Sequence, residues 1–310
     1  MNNTDKVAVC SRSFSKNPVL RAELLARYSQ VTFNDSGQQY EGDALVAFLR
    51  GHDKAITALE KIDHAVLSQL PDLKVIGKYG VGLDMIDMAA MRHFGKRFGW
   101  TGGVNRRSVS ELVISFAVAM LRHVPAAQKE VLAGTWRQHV GGLLSGRTVG
   151  IVGCGFVGKD LIELLQPWGC TVLAHDILDF PEFYKRHSVV PVGLDELLQK
   201  SDVVSLHLPL NDSTSNMLSA EKLQLLKSTS ILINAARGGI VDESALKAML
   251  IEKRLAAAAF DVFSVEPPED RELVALPNFL VTPHIGGSAE EAIIAMGRAA
   301  IDGLDTNDIP

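Results

Sequence analysis

Residues 149–165 read VGIVGCGFVGKDLIELL, and no other stretch restricts the fold as tightly. An apolar, β-branched run enters three glycines spaced Gly-x-Gly-x-x-Gly and leaves as a helix pattern, with Leu161, Leu164, Leu165 and Trp168 on one side. Each glycine has its own physical reason. Gly153 permits a tight turn, Gly155 lets the backbone meet a pyrophosphate, and Gly158 lets helix and strand pack closely. An anion would sit on the helix N-terminus, at Phe156 and Val157, where unpaired N–H groups and the helix dipole favour negative charge. The next strand pattern, TVLAHD, ends on Asp176 at the ~20-residue offset of an acid that hydrogen-bonds an adenosine ribose. That carboxylate repels a 2′-phosphate and no arginine follows it directly, so NAD is favoured over NADP. Taken alone, Asp176 also reads as a strand-end cap.

The rest of the chain repeats the alternation. In the first third, KVAVC, VTF, KAITAL and LKVIGKYG alternate with the helical patterns PVLRAELLARY, GDALVAFLRG, DHAVLSQL and MIDMAAMRHFG. A long apolar-faced helix is expected from Ser108 to about Val124, with Pro125 marking its end or a kink. From Arg147 onward TVGIVG, TVLAHD, DVVSLHLPL, SILINAA, AAAAFDVF and NFLVTPH form a second series. Alternation of this kind builds parallel sheets covered by helices. The expected architecture is α/β, with two parallel-sheet βα domains and a cleft between them. Residues 1–101 and 286–310 form a flavodoxin-like substrate domain, and residues 102–285 a Rossmann dinucleotide-binding domain. Ser288 is the expected N-cap of the last helix, with Glu291 as its capping-box partner.

Bulk properties narrow the partners. A formal net charge of -5 leaves no basic stripe for a phosphate backbone, so no nucleic acid is expected. The apolar run ELVISFAVAML is shorter than the ~20 residues of a spanning helix, so no membrane is expected. Cys10, Cys154 and Cys170 form no Cys-x-x-Cys pair and no even framework, and MNNTDK is no signal peptide, which together point to the cytoplasm. The histidines lack His-Glu-x-x-His or similar spacing, so no metal site is expected; no Gly-x-Ser-x-Gly elbow occurs either.

Three polar residues of complementary chemistry follow successive strand patterns: Arg237 after ILINAA, Glu266 beyond AAAAFDVFSV, and His284 after LVTP. Ligands of open α/β sheets bind outside the carboxyl ends of the strands, which is where all three fall. Singly, each has a structural reading: an ion pair, a solvated loop acid, a capping imidazole. His207 also lies at a strand end on this edge. Together, NAARGGIVDESAL, AAFDVFSVEPPEDREL, NFLVTPHIGGSAEEA, TVGIVGCGFVG and DVVSLHLPL resemble the NAD-dependent D-isomer-specific 2-hydroxyacid dehydrogenases, most of all the core of phosphoglycerate dehydrogenase.

The resemblance implies hydride transfer between NAD(H) and C2 of a D-2-hydroxy acid or 2-keto acid, 3-phosphoglycerate-like substrates included. It makes Arg237 the holder of the substrate carboxylate, His284 the acid–base and Glu266 the residue that orients the imidazole. It implies that Asp261 binds the nicotinamide carboxamide, and that His207, Pro209, Thr214, Ala235 and Gly287 contact the cofactor. On the substrate side, GKYGVGLDMID resembles the family loop whose amides, here at Val81 and Gly82, help bind the carboxylate. Lys78 and Tyr79 stand where the phosphoglycerate enzymes often carry arginine-alanine. SVSELVISFAVAMLRHVPAAQKEVLAGTWRQ matches the interdomain helix and dimerisation arm, which implies a homodimer with Trp136 near the interface. Corepressors of the same family keep fold and triad, so an NAD(H)-responsive protein-binding scaffold is the alternative to an enzyme.

Overall fold

The computed structural model describes residues 3–310 and divides them into two compact units, residues 3–105 with 289–310, and residues 106–288. The sequence placed the crossings at 101 and 285.

The first unit holds five parallel strands: β1 (Asn3–Val9), β2 (Tyr28–Phe33), β3 (Lys54–Thr57), β4 (Val75–Lys78) and β5 (Arg97–Gly99), in the order β2-β1-β3-β4-β5. Side chains alternate across a strand, so a sheet buried on both faces needs two apolar layers. Ala8, Ala55 and Ile76 pack with Leu45, Leu49 and Leu67 on one face. Val7, Val9 and Ile56 pack with Leu20, Leu24, Ala300, Ile301 and Leu304 on the other. The helix Glu290–Gly303 thus supplies part of the cover for a sheet built from the opposite end of the chain. Small residues let it lie close: a methyl group on Gly99 would collide with the backbone of Gly303, and one on Gly77 with the carbonyl of Ala300. The expected capping box is absent. Ser288 donates its N–H to Ile285 C=O in a turn, Ala289 is the N-cap without a side-chain bond, and Glu290 and Glu291 meet the helix dipole instead.

The second unit is a seven-stranded parallel sheet: β6 (Thr148–Val152), β7 (Thr171–His175), β8 (Val190–Pro191), β9 (Val203–Leu206), β10 (Ile231–Asn234), β11 (Ala257–Phe260) and β12 (Phe279–Val281). The order β12-β11-β10-β9-β6-β7-β8 reverses direction between β6 and β9, which is the switch point of a doubly wound sheet. The helix Arg106–Leu121 buries Val113, Phe116, Ala117 and Met120 against one face. It ends before the expected Val124, because His123 turns left-handed (φ 54°) and a second helix, Val124–Leu132, leaves at 62°. Pro125 lies in the first turn of that second helix, where a missing N–H costs nothing, so it starts a helix rather than ending one. Among the described residues no single helix is long and apolar enough to cross a membrane.

Candidate active site

The second unit carries the glycine turn and also Arg237, Glu266 and His284. At the end of β6, Gly153 has φ 97°, and a side chain on it would meet the carbonyl of His207. A methyl on Gly158 would collide with the carbonyl of Gly153, so helix Phe156–Leu165 can approach the strand only because this position is bare. A methyl on Gly155 would meet nothing within 4 Å. The three glycines therefore divide the work as a dinucleotide turn requires: two are needed by the protein, and the middle one leaves room outside it. No acidic residue occupies the first turn of the helix, so the helix itself brings no charge against its N-terminal field.

Asp176 closes this turn from the neighbouring strand. Its Oδ2 accepts the Cys154 N–H at 2.5 Å and its Oδ1 accepts the Leu178 N–H at 2.8 Å. Asp176 is thus the strand-end cap, and with about four acceptor positions serving two internal donors its carboxylate keeps acceptor capacity for a further hydroxyl donor. Phe156 and Ile177, 56% and 95% exposed, flank it as apolar surface. Across the switch point, His207 shares a hydrogen bond with Ser205 Oγ at 2.9 Å, and desolvation pushes its pKa down to about 3, so the ring is neutral. Thr214 is buried with its hydroxyl donating to Pro209 C=O and accepting from Asn211 N–H, which makes 209–214 a closed loop. Ala235 and Gly287 are half-buried beyond β10 and β12.

Arg237, Glu266 and His284 follow β10, β11 and β12, three adjacent strands. His284 Nδ1 lies 2.8 Å from Glu266 Oε2, and Glu266 Oε1 accepts the Phe263 N–H at 3.1 Å. One carboxylate oxygen is therefore anchored to the backbone while the other fixes the ring. With Nδ1 occupied in this way, Nε2 is the nitrogen available to a substrate oxygen. The half-buried Arg237 donates from Nη1 to Ala236 C=O at 2.7 Å.

His284 sits at φ 55°, in the left-handed region that side chains rarely adopt. Asp261, 1% exposed, holds it there. Its backbone carbonyl accepts the His284 N–H; its Oδ1 accepts the Thr282 hydroxyl at 2.5 Å and the Ile285 N–H at 2.8 Å; its Oδ2 accepts the Gly286 N–H at 2.7 Å. A carboxamide would be a further partner of an already committed carboxylate. Ser108, on the helix Arg106–Leu121, donates its hydroxyl to Gly286 C=O at 2.6 Å, and Arg107 grips the buried Asp160 of the dinucleotide helix through two bonds of 2.9 and 3.0 Å. Neither contact carries a sequence signal, because single serines and ion pairs have no spacing rule.

In the first unit, Lys78 is buried, with Nζ donating to Ala58 C=O at 2.5 Å. The ring of Tyr79 is also buried, edge-on to Phe14 at 5.5 Å, which makes it a core group. Val81 and Gly82 are half-buried, and Val81 C=O accepts the indole N–H of Trp100 at 3.1 Å. Arg12 and Lys16, which follow β1, bound a short helix, Arg12–Lys16, capped by Ser11. No group of three or more potential metal ligands occurs among the described residues.

A doubly wound sheet with a glycine turn at its switch point and an oriented imidazole beyond the neighbouring strand ends has the architecture of a dinucleotide-binding domain. A family model described as "D-isomer specific 2-hydroxyacid dehydrogenase, NAD binding domain" matches residues 114–286, more than half of the chain, and the chain belongs to this family. It is 33% identical over 277 residues to a hydroxypyruvate reductase of Thermotoga maritima, covering 86% of this chain and 88% of the relative. It is 35% identical over 240 residues to a D-3-phosphoglycerate dehydrogenase of Methanocaldococcus jannaschii, covering 76% of this chain but only 46% of that protein, so the chain spans about half the length of this relative. The crystal structure of the TT0316 protein from Thermus thermophilus superposes with a TM-score of 0.84 at 30% identity, covering 96% of this chain and 95% of that one. The two relatives with named activities are enzymes, and the scaffold reading gains no support from them.

Proposed function

We propose that this chain interconverts a 2-hydroxy acid and the corresponding 2-keto acid. When bound, NAD(H) supplies or accepts the hydride at C2. Arg237 holds the substrate carboxylate through paired charge-assisted hydrogen bonds and draws electron density from the neighbouring carbonyl. His284 Nε2 gives a proton to the carbonyl oxygen during reduction and takes the hydroxyl proton during oxidation. Glu266 keeps the ring in the required tautomer and stabilises imidazolium. The observation that carries this reading is the 2.8 Å Glu266–His284 pair, its carboxylate anchored by Phe263 N–H, beyond the strand next to the one that leads to Arg237.

The test is a panel of plain and phosphorylated 2-keto acids, hydroxypyruvate included, with NADH and NADPH in parallel. We expect consumption of NADH with at least one keto acid, and loss of about 100-fold or more in Arg237→Ala with NADH affinity kept. An Arg237→Ala protein that loses keto-acid turnover and NADH affinity equally would mark a structural arginine. Val81 and Gly82 are proposed as further carboxylate donors, while burial of Lys78 and Tyr79 favours an indirect part for both.

A homodimer is part of the same reading. The helix Val124–Leu132 buries no residue, and Leu132, Trp136, Val140 and Leu143 are 81%, 86%, 94% and 68% exposed. Apolar surface exposed on one arm at this density supports an interface between copies of the chain. Three free thiols, two of them buried, fit a reducing compartment such as the cytoplasm.

A further inference from the structure

We propose that Asn234 is the positioning residue for Arg237; this rests on the reading of Arg237 as the carboxylate ligand. Asn234 is the last residue of β10 and is 1% exposed. A buried primary amide must use its donors and its acceptor within the protein. Asn234 uses both on the segment that carries Arg237. Its Oδ1 accepts the Ala236 N–H at 3.1 Å, and its Nδ2 donates to Arg237 C=O at 2.8 Å.

These two bonds grip the chain on either side of one peptide plane, the one between Ala236 and Arg237. The carbonyl of that plane accepts the guanidinium of Arg237 at 2.7 Å. The guanidinium is therefore pinned to a peptide whose orientation Asn234 sets. The next residue is packed as closely, since a methyl on Gly238 would collide with the backbone of Phe263 and Ser264. The backbone of Asn234 is fixed in turn, because its C=O accepts the Asp261 N–H at 2.9 Å, next to the strand end that holds the His284 turn. Without the amide, the dihedrals of Ala236 and Arg237 are released and the guanidinium moves with them. A displacement of about 1 Å in a positioned group costs on the order of 100-fold in rate. Aspartate has the same shape and keeps the acceptor toward Ala236, but it sets an oxygen against Arg237 C=O where the donor was.

The experiment measures hydroxypyruvate kcat/KM, NADH affinity by fluorescence and the thermal midpoint for N234A, N234D, R237A and N234A/R237A in the full chain. We expect kcat/KM to fall on the order of 100-fold in N234A and N234D while NADH affinity stays within about twofold. The double variant should lie within about threefold of R237A alone, because a positioning residue has nothing left to position. Unchanged kcat/KM in both Asn234 variants overturns the inference, even with a lowered thermal midpoint. So does a double variant whose loss is the product of the two single losses. If N234A does not fold, isosteric N234D carries the comparison. A fully active R237A strikes at the carboxylate-ligand reading itself and takes this inference with it.

Discussion

In the proposed reaction His284 gives a proton during reduction and takes one during oxidation, so the two directions should respond oppositely to pH. Reduction needs the imidazolium and oxidation the neutral ring, so keto-acid reduction should weaken as pH rises while hydroxy-acid oxidation strengthens. Initial rates in both directions across one buffer series check this, and parallel profiles would remove His284 from the proton step. His207 makes a separate prediction about stability. Its pKa is pushed down to about 3 in the folded protein, against the ordinary 6.5. Between those values the unfolded chain binds the extra proton, so stability is present above pH 6.5 and is lost as pH falls through the window. His207→Asn should therefore show a smaller drop in melting temperature on acidification than the unaltered protein, measured by calorimetry. The placement of Arg237, Glu266 and His284 beyond neighbouring strands was legible because each lies within six residues of a patterned strand, whereas their roles were implied only by resemblance. Asp261 was legible only in part: resemblance implied a cofactor contact, whereas its carboxylate holds the turn of His284, a role that depends on three backbone and hydroxyl donors no pattern encodes.

The glycine turn and its helix separate binding from folding in a way that can be measured. Gly155→Ala adds a methyl where the protein has nothing within 4 Å, at an ordinary φ of -71°, so the melting temperature should stay within about 1–2 °C while NADH affinity falls. Gly158→Ala drives a methyl into the carbonyl of Gly153 and should lower both, with a stability loss of about 1–3 kcal/mol. Equal effects in the two variants would contradict the division of labour among the glycines. Periodicity located the long strands and helices, but not β8, β5 or the helix Arg12–Lys16. Each has five residues or fewer, too few for a period to register, and tertiary packing decides them. Pro125 was ambiguous for a related reason. The same residue ends one helix or begins another, and only the left-handed His123 decides which.

Across the whole molecule, the exposed arm predicts association. Trp136→Asp or Leu132→Asp should shift the protein toward monomer in analytical ultracentrifugation and leave the melting of the second unit nearly unchanged, since neither side chain is buried in the chain itself. A monomeric unaltered protein would remove the dimer from the proposal. That the second series builds a parallel sheet was legible, because a strand series and a glycine turn can be counted in one dimension; the order of its strands was not. Which glycines accept the late helix could not be counted, since Gly77 and Gly99 are meaningful only against Ala300 and Gly303. That contact has a consequence for biosynthesis. As the polypeptide emerges from the ribosome, β1–β5 are complete long before residues 290–303 arrive, and Val7, Val9 and Ile56 wait without their full cover. The contiguous unit in between can finish folding first, so a nascent chain halted before residue 289 should be the form that needs a chaperone.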